Sequence, residues 1–589
     1  MKKIAYLFSA ALIAGTLVSC DLDSMSMTEK DTSNFPVNAE DAAQALAGIY
    51  QNLNAVNANP QETWHYYALL ASDDMYGGGG TNDKLMQAMD LILNYNIDMT
   101  RNFWQQRYQG INRANTLIES LESVDFDATQ KAQTKGEALF MRAFYYYELA
   151  SMYGRVPLIV TAAKPEDATP PAASVIWGQI LQDLRDACDI MPAKRNTDGH
   201  VDKYCAEALL GRCWLFYTGF YCNGEEIANL VSTNYSPLTS VALPDGTTLT
   251  KDQVINYIDD CVNNSGYEIV PDFRNLWAYT NKCTVEDYSY TAGQGLKWVE
   301  DDNGVNPESM FAVKFNKMAS WSTTIGYANG YSLHFGVRGG QAYGNTFPFG
   351  QGWGAGPVAT NLVTDWKNSE PRDLRFDATV LNLNDLPSYT KGGWEDFVQE
   401  TDYYGKKLSP ITSKKKDGSG DYFCTFENEM YPGGWEVSGE ENFQLGNIHD
   451  MVLIRFAEVL LMQSELKEST DGINKLRKRA GLDPIPAYSL EALQRERRWE
   501  LAFEGLRFND IRRWHIAAQA LEKQTNQDCY YCGRASTNFA HNGGYAARYN
   551  ATAGFQKLPE TEVILSEGSL SQNPGWTDSS SEYNDWNTR

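Results

Sequence analysis

Residue types that carry catalysis and metal binding are scarce in this chain: six histidines among 589 residues, with no HExxH pair. The phosphate-cradling glycine loop, the dinucleotide fingerprint and the GxSxG elbow are missing too, which withdraws support from nucleotide-dependent, zinc-protease and serine-hydrolase chemistry. Positive charge is also short. Fifty Lys and Arg face 75 Asp and Glu, a formal net charge of −25, and such a field repels phosphate backbones and anionic lipid surfaces. Nucleic acid is therefore not an expected partner. Past the amino terminus no stretch reaches the roughly 18 apolar residues that a spanning helix needs.

The amino terminus reads as a targeting segment. Lys2 and Lys3 precede a largely apolar run of 15 residues, Ile4 to Val18, short for a spanning helix and suited to an export signal. The run closes on Leu17-Val18-Ser19-Cys20, the form of a bacterial lipobox, in which the cysteine thiol is acylated before cleavage. The expectation is a signal peptide over 1–19, with Cys20 as the lipidated first residue of a polar tether over 20–35, anchored by several acyl chains. Nine cysteines then remain, and an odd number cannot all pair within one chain. Cys529 and Cys532 form a lone CxxC without a suitably spaced histidine pair, so a local disulfide or two thiols is expected there rather than zinc. Cys205, Cys213 and Cys222 fall in or beside an apolar helical pattern, where cysteine behaves as a small core residue.

What the chain has in quantity is helical periodicity. Ala42, Leu46, Ile49 and Leu53 recur at helical spacing behind an Asn38/Asp41 cap signal, and the pattern returns over 101–120, 135–153, 174–190, 203–220 and 251–263. Leu453, Phe456, Ala457, Leu460 and Leu461 trace one helix face, and further helices are expected over 472–480 and 490–504. Successive helix pairs predict a mainly α, tetratricopeptide-like scaffold over about 36–263 and 450–525, within a single domain over 36–589 that closes in a C-terminal extension over 526–589. Residues 264–449 differ: these 186 positions hold 23 of the 47 glycines and 7 of the 15 tryptophans. Loops and short strands fit that punctuation, so an irregular, loop-rich insertion is expected, with function in its loops.

Aromatic surface chemistry is the positive signal. A sugar ring offers an apolar C–H face and a rim of hydroxyls, so its site needs a flat aromatic wall edged by Asp, Asn or Arg. Trp64 and the pair Asp73-Asp74, ahead of Gly77–Gly80, supply such groups, as do Trp298, Trp321 and Trp353 in the insertion. Arg338, set among Gly336, Gly339 and Gly340, is a candidate edge donor. Each tryptophan taken singly is more often core than site. An endo-glycosidase needs only two carboxylates about 5 to 9.5 Å apart, which 75 acidic residues leave open without any positive signature. The adjacent Asp73 and Asp74 diverge in most backbone conformations. No cofactor and no metal is expected.

Two blocks carry a family likeness. The first is Gly136-Glu137-Ala138 through Met141-Arg142-Ala143-Phe144-Tyr145, then Tyr153-Gly154-Arg155-Val156-Pro157-Leu158. The second runs from Leu453-Ile454-Arg455-Phe456-Ala457-Glu458-Val459 through Asn474-Lys475-Leu476-Arg477 to Glu496–Gly505, Arg507, Asp510 and Arg513-Trp514. With the lipobox and the ending Gln572-Asn573-Pro574-Gly575-Trp576, the chain resembles the SusD/RagB family of outer-membrane nutrient-binding lipoproteins. The resemblance implies a surface-exposed, lipid-anchored outer-membrane protein that captures a glycan without cleaving it and passes it to a SusC-like TonB-dependent transporter. It also implies a ligand site drawn from Trp64, Asp73, Asp74, Trp298, Trp321, Arg338 and Trp353, as regional positions rather than motif matches. A peptide-binding RagB-like uptake protein shares the scaffold and is the alternative. The Glu- and Arg-rich block Glu496–Arg513 is assigned to scaffold salt bridges.

Overall fold

A computed structural model describes residues 35–54, 60–94, 98–315, 329–339, 342–390, 396–424, 447–540 and 543–576. The expected signal segment, Cys20 and most of the expected tether lie outside the described residues, as does Trp321.

The architecture is mainly α. Helices α1 (Ala39–Asn54), α2 (Trp64–Leu70), α3 (Lys84–Leu91), α4 (Arg101–Ser120), α5 (Ala128–Tyr153), α6 (Ala173–Ile190), α7 (Lys203–Phe220) and α8 (Lys251–Asn264) follow one another along the first half. The successive long helices pack together: α4 against α1 and α5, α6 against α5 and α7, and α8 against α7. Local signals set their ends. Asn38 Oδ1 accepts from the Asp41 N–H at 2.9 Å, Asp127 caps α5, and Thr250 with Gln253 forms a reciprocal capping box on α8. Helix α5 starts seven residues ahead of the expected Lys135, because Asp127 supplies a cap that the apolar pattern does not register. It stops at Gly154, whose φ of +76° suits glycine.

The second half departs from the expected pattern at its first element. Met451–Arg455 is a strand, β2, antiparallel to β1 (Ser309–Val313), and the helix α9 runs only over Phe456–Lys467. The spacing of Leu453, Phe456 and Ala457 straddles a strand-to-helix junction, and a short apolar run has no period that separates the two. Helices α10 (Asp471–Arg479), α11 (Leu490–Glu500) and α12 (Arg507–Arg513) follow. Helix α11 ends four residues short of Glu504, in a turn reaching Gly505 at φ +72°. Between the halves, short strands and turns prevail, together with the helices Thr360–Ser369 and Leu374–Thr379. No described helix is long and apolar enough to cross a membrane.

A buried ion-pair network joins this irregular part to the scaffold. Arg375, fully buried, pairs with Asp373 at 2.8 Å, Glu496 at 2.7 Å and Glu500 at 2.9 Å. Arg455 reaches Glu308, Glu500 and Glu504 at 2.6 to 2.7 Å, while Arg479 bonds Glu308 at 2.7 Å and also pairs with Glu500. Burial works against the Glu500 charge, but three guanidiniums hold its carboxyl far below the usual range. The Glu496–Arg513 block therefore is a set of structural ion pairs.

Candidate functional site

Three of the sequence-predicted residues are structural. Trp64 is 4% exposed, its ring 6.1 Å from Tyr67 and 6.3 Å from Phe508, so it presents no face to a ligand. Asp73 accepts a forked pair of bonds from Arg507 at 2.7 and 2.8 Å and lies 3.0 Å from Arg498. Despite burial, Arg498 and Arg507 hold its carboxyl well below the ordinary value. Asp74 accepts from Arg498 Nε at 2.8 Å. Both carboxylates tie α2's end to the α11–α12 region, and neither lines an open surface. The motif was chemically apt but its partners, over 420 residues away in sequence, were invisible.

Arg338 and Trp353, in contrast, are brought together with the glycine loop. Met75, Gly78 and Gly80 form isolated bridges with Val358, Ala355 and Phe397, laying the loop between two insertion segments. Such an approach needs glycine: a Cβ on Gly78, whose φ is +65°, would fall 2.4 Å from the Gly354 carbonyl oxygen. One on Gly80 would fall 2.5 Å from Arg338 Nη2. Arg338 donates from Nη1 to the Trp353 carbonyl at 2.9 Å and from Nη2 to Asp396 Oδ2 at 2.6 Å. Asp83 stands 3.3 Å away, and the Phe397 ring centre lies 5.7 Å from the guanidinium carbon.

The Trp353 ring is half-buried and rests against His334, centroids 4.4 Å apart. His334 is buried, which pulls its pKa down to about 3 and leaves a neutral imidazole behind the indole. Its Nδ1 meets the Tyr66 hydroxyl at 3.1 Å. The guanidinium thus lies against the Trp353 backbone with two carboxylates beside it, Asp396 being 53% exposed, while the Trp353 ring rests on His334. Asp83, Asp396 and His334 were not singled out from sequence. For Asp83 a local signal existed, since a carboxylate three residues after Gly80 can accept from its N–H, and does so at 2.6 Å.

Trp298 lies elsewhere. It is 3% exposed, packs on Ala278, Cys283, Val299 and Ile448, and borders a separate cleft. Among the described residues no group of three or more His, Cys, Asp or Glu side chains is placed to hold a metal ion. Cys188, Cys205, Cys213 and Cys261 are buried thiols, and Cys222 is a half-buried one.

The fold is a helix-pair scaffold that carries an irregular insertion, with charged and aromatic loops gathered where the insertion meets the segment after α2. Two family models match the chain, one described as starch-binding and associating with the outer membrane over residues 22–218, the other as the SusD family over 279–576. The chain belongs to the SusD family. It is 24% identical to SusD-like protein P2 of Formosa agariphila over 90% of this chain and 95% of that protein. A SusD-like protein of Bacteroides ovatus is 21% identical over 70% and 65% of the two chains. Among solved structures, a laminarin-binding SusD-like protein superposes with a TM-score of 0.66 at 24% identity, covering 92% of this chain and all of that one. Surface glycan-binding protein A from Bacteroides thetaiotaomicron, in complex with laminarihexaose, gives 0.63 at 18% identity over 91% and 99%.

Proposed function

We propose that this protein binds glycan at the outer membrane, displayed on the cell surface through an acylated Cys20, and delivers oligo- or polysaccharide to a SusC-like TonB-dependent transporter without cleaving it. The observation that carries this reading is the Arg338–Trp353 cluster. The half-buried Trp353 indole can supply an apolar wall, and the Arg338 guanidinium with Asp83 and Asp396, held in the same loop cluster, can meet a rim of hydroxyls. The names of its relatives support the ligand class, since they are described as laminarin- or surface-glycan-binding proteins. Retardation of the protein in gels containing laminarin and other soluble polysaccharides, followed by calorimetry, tests the proposal. A binder in that panel, recovered intact with no new reducing ends, is the expected result. An empty panel, release of reducing ends, or displacement of the glycan by oligopeptides overturns it.

A further inference from the structure

A groove of about 420 Å³ opens in the helical scaffold, where α7, the segment after it and the starts of α8 and α11 meet the end of α9. None of its lining residues belongs to the Arg338 cluster or to the cleft that Trp298 borders. Backbone bonds fix one wall: the Leu238 N–H donates to the Thr218 carbonyl, and the Lys251 N–H to the Thr239 carbonyl, each at 3.0 Å. Buried Leu215 and Leu466 and half-buried Leu238 and Leu490 make much of the lining apolar.

Three polar groups along this lining are left unanswered by the fold. Tyr235 and Tyr488 are half-buried, and neither hydroxyl has a hydrogen-bond partner among the described residues. Trp214 is 1% exposed, and its indole N–H is likewise unpaired among those residues. The Tyr235 ring packs against Gly219 of α7, where a Cβ would fall 3.4 Å from its Cε2, but among the described residues no other ring and no cation stacks on either phenol. Charge is balanced. Arg513 donates to the two oxygens of Glu465 at 2.5 and 2.8 Å, and the Trp514 indole adds a third bond at 3.1 Å. Lys251 and Glu468 then bring one charge of each sign, neither in an ion pair among the described residues.

We infer that this groove is a second binding site, for a neutral mono- or disaccharide, with the Tyr488 and Tyr235 phenols as its principal contacts. A phenol offers an apolar ring to a C–H face and a hydroxyl that both donates and accepts, as sugar hydroxyls do. The Trp214 N–H only donates, and a sugar oxygen answers it. A purely apolar ligand would leave these three groups unmet, and an ionic one would find no surplus of opposite charge. The volume lies within the range of small-molecule sites. The inference is independent of the glycan site at Arg338, because its residues come from the scaffold helices and not from the insertion.

Calorimetric titration of the full-length Trp353→Ala protein with maltose, cellobiose and laminaribiose tests it, since that variant removes the aromatic anchor of the first site. At least one of the three is expected to bind. Adding Tyr488→Ala is expected to weaken that binding at least about tenfold, as loss of an aromatic contact does. Tyr488→Phe keeps the ring and loses only the hydroxyl, so a smaller loss, about threefold, is expected, with an unfolding midpoint near that of its parent. No binding of any of the three sugars, or the same affinity in both Tyr488 variants as in their parent, overturns the assignment. Failure of the Arg338 site is read separately, as polysaccharide affinity that Trp353→Ala leaves unchanged in an otherwise native protein.

Discussion

Arg455 Nη1 and Glu500 Oε1 lie 2.6 Å apart, and neither side chain is more than 4% exposed. Glu500 also receives Arg375 and Arg479, so one carboxylate bridges three guanidiniums drawn from the insertion, from β2 and from α10, which share Asp373, Glu308, Glu496 and Glu504 as further partners. Removing it strands buried positive charge. Glu500→Gln should cost about 3–5 kcal/mol in urea unfolding, the range for breaking one side of a buried pair. The pair Arg372–Asp483, 72% and 83% exposed, is the control: Arg372→Ala should cost about 0–1 kcal/mol. Similar losses at the two positions would refute a network that ties the insertion down.

At the proposed glycan site, Trp353→Ala should weaken polysaccharide binding by roughly 2 kcal/mol, about 30-fold, as buried aromatic anchors do. Calorimetry with whichever polysaccharide the panel identifies would show it. Unchanged affinity removes Trp353 from the site.

Gly80→Ala probes the same site without touching the ring. The added methyl would fall 2.5 Å from Arg338 Nη2 and 2.8 Å from Asp396 Oδ2, so the guanidinium must swing away. Glycan affinity is expected to fall, with an unfolding midpoint near wild type because both neighbours are ends of flexible side chains. A large stability loss at full affinity would contradict this.

The helical frame was legible because helix periodicity and caps are local. The expected span 203–220 coincides with α7, and the Asn38 cap holds α1. The insertion's short helices at Thr360–Ser369 and Leu374–Thr379 hid among glycines and prolines, and β2 hid in a run that fits either period. At the proposed site, the sequence signal for Arg338 is its flanking glycines, which permit close backbone approach. Asp73 and Asp74 misled for a general reason: paired carboxylates beside a glycine loop look the same whether solvent or an arginine faces them. Only the fold brings Arg498 and Arg507 to their side.

Asp90 provides a test in pH. It lies near the end of α3, 1% exposed, and accepts from Gln399 Nε2 at 2.8 Å and the Tyr545 hydroxyl at 3.2 Å. Burial pushes its pKa from 3.8 up to about 7, more than the Gln399, Gly77 backbone and Tyr545 contacts pull it down. The folded state therefore keeps this proton across a window in which the unfolded chain has released it. The stabilising contribution is complete below pH 3.8, falls as pH rises towards 7, and is constant above. Asp90→Asn is neutral throughout and cannot lose a proton, so it should gain on wild type over that window by on the order of 4 kcal/mol. Comparing the two proteins at each pH cancels every other titrating group, including His65 and Glu300, whose shifts act in opposite directions. Unfolding free energies measured at intervals from pH 4 to 8 would show this gain. A difference that stays flat across the window would mean that Asp90 is ionised in the fold, with its charge carried by Gln399 and Tyr545 rather than suppressed by burial.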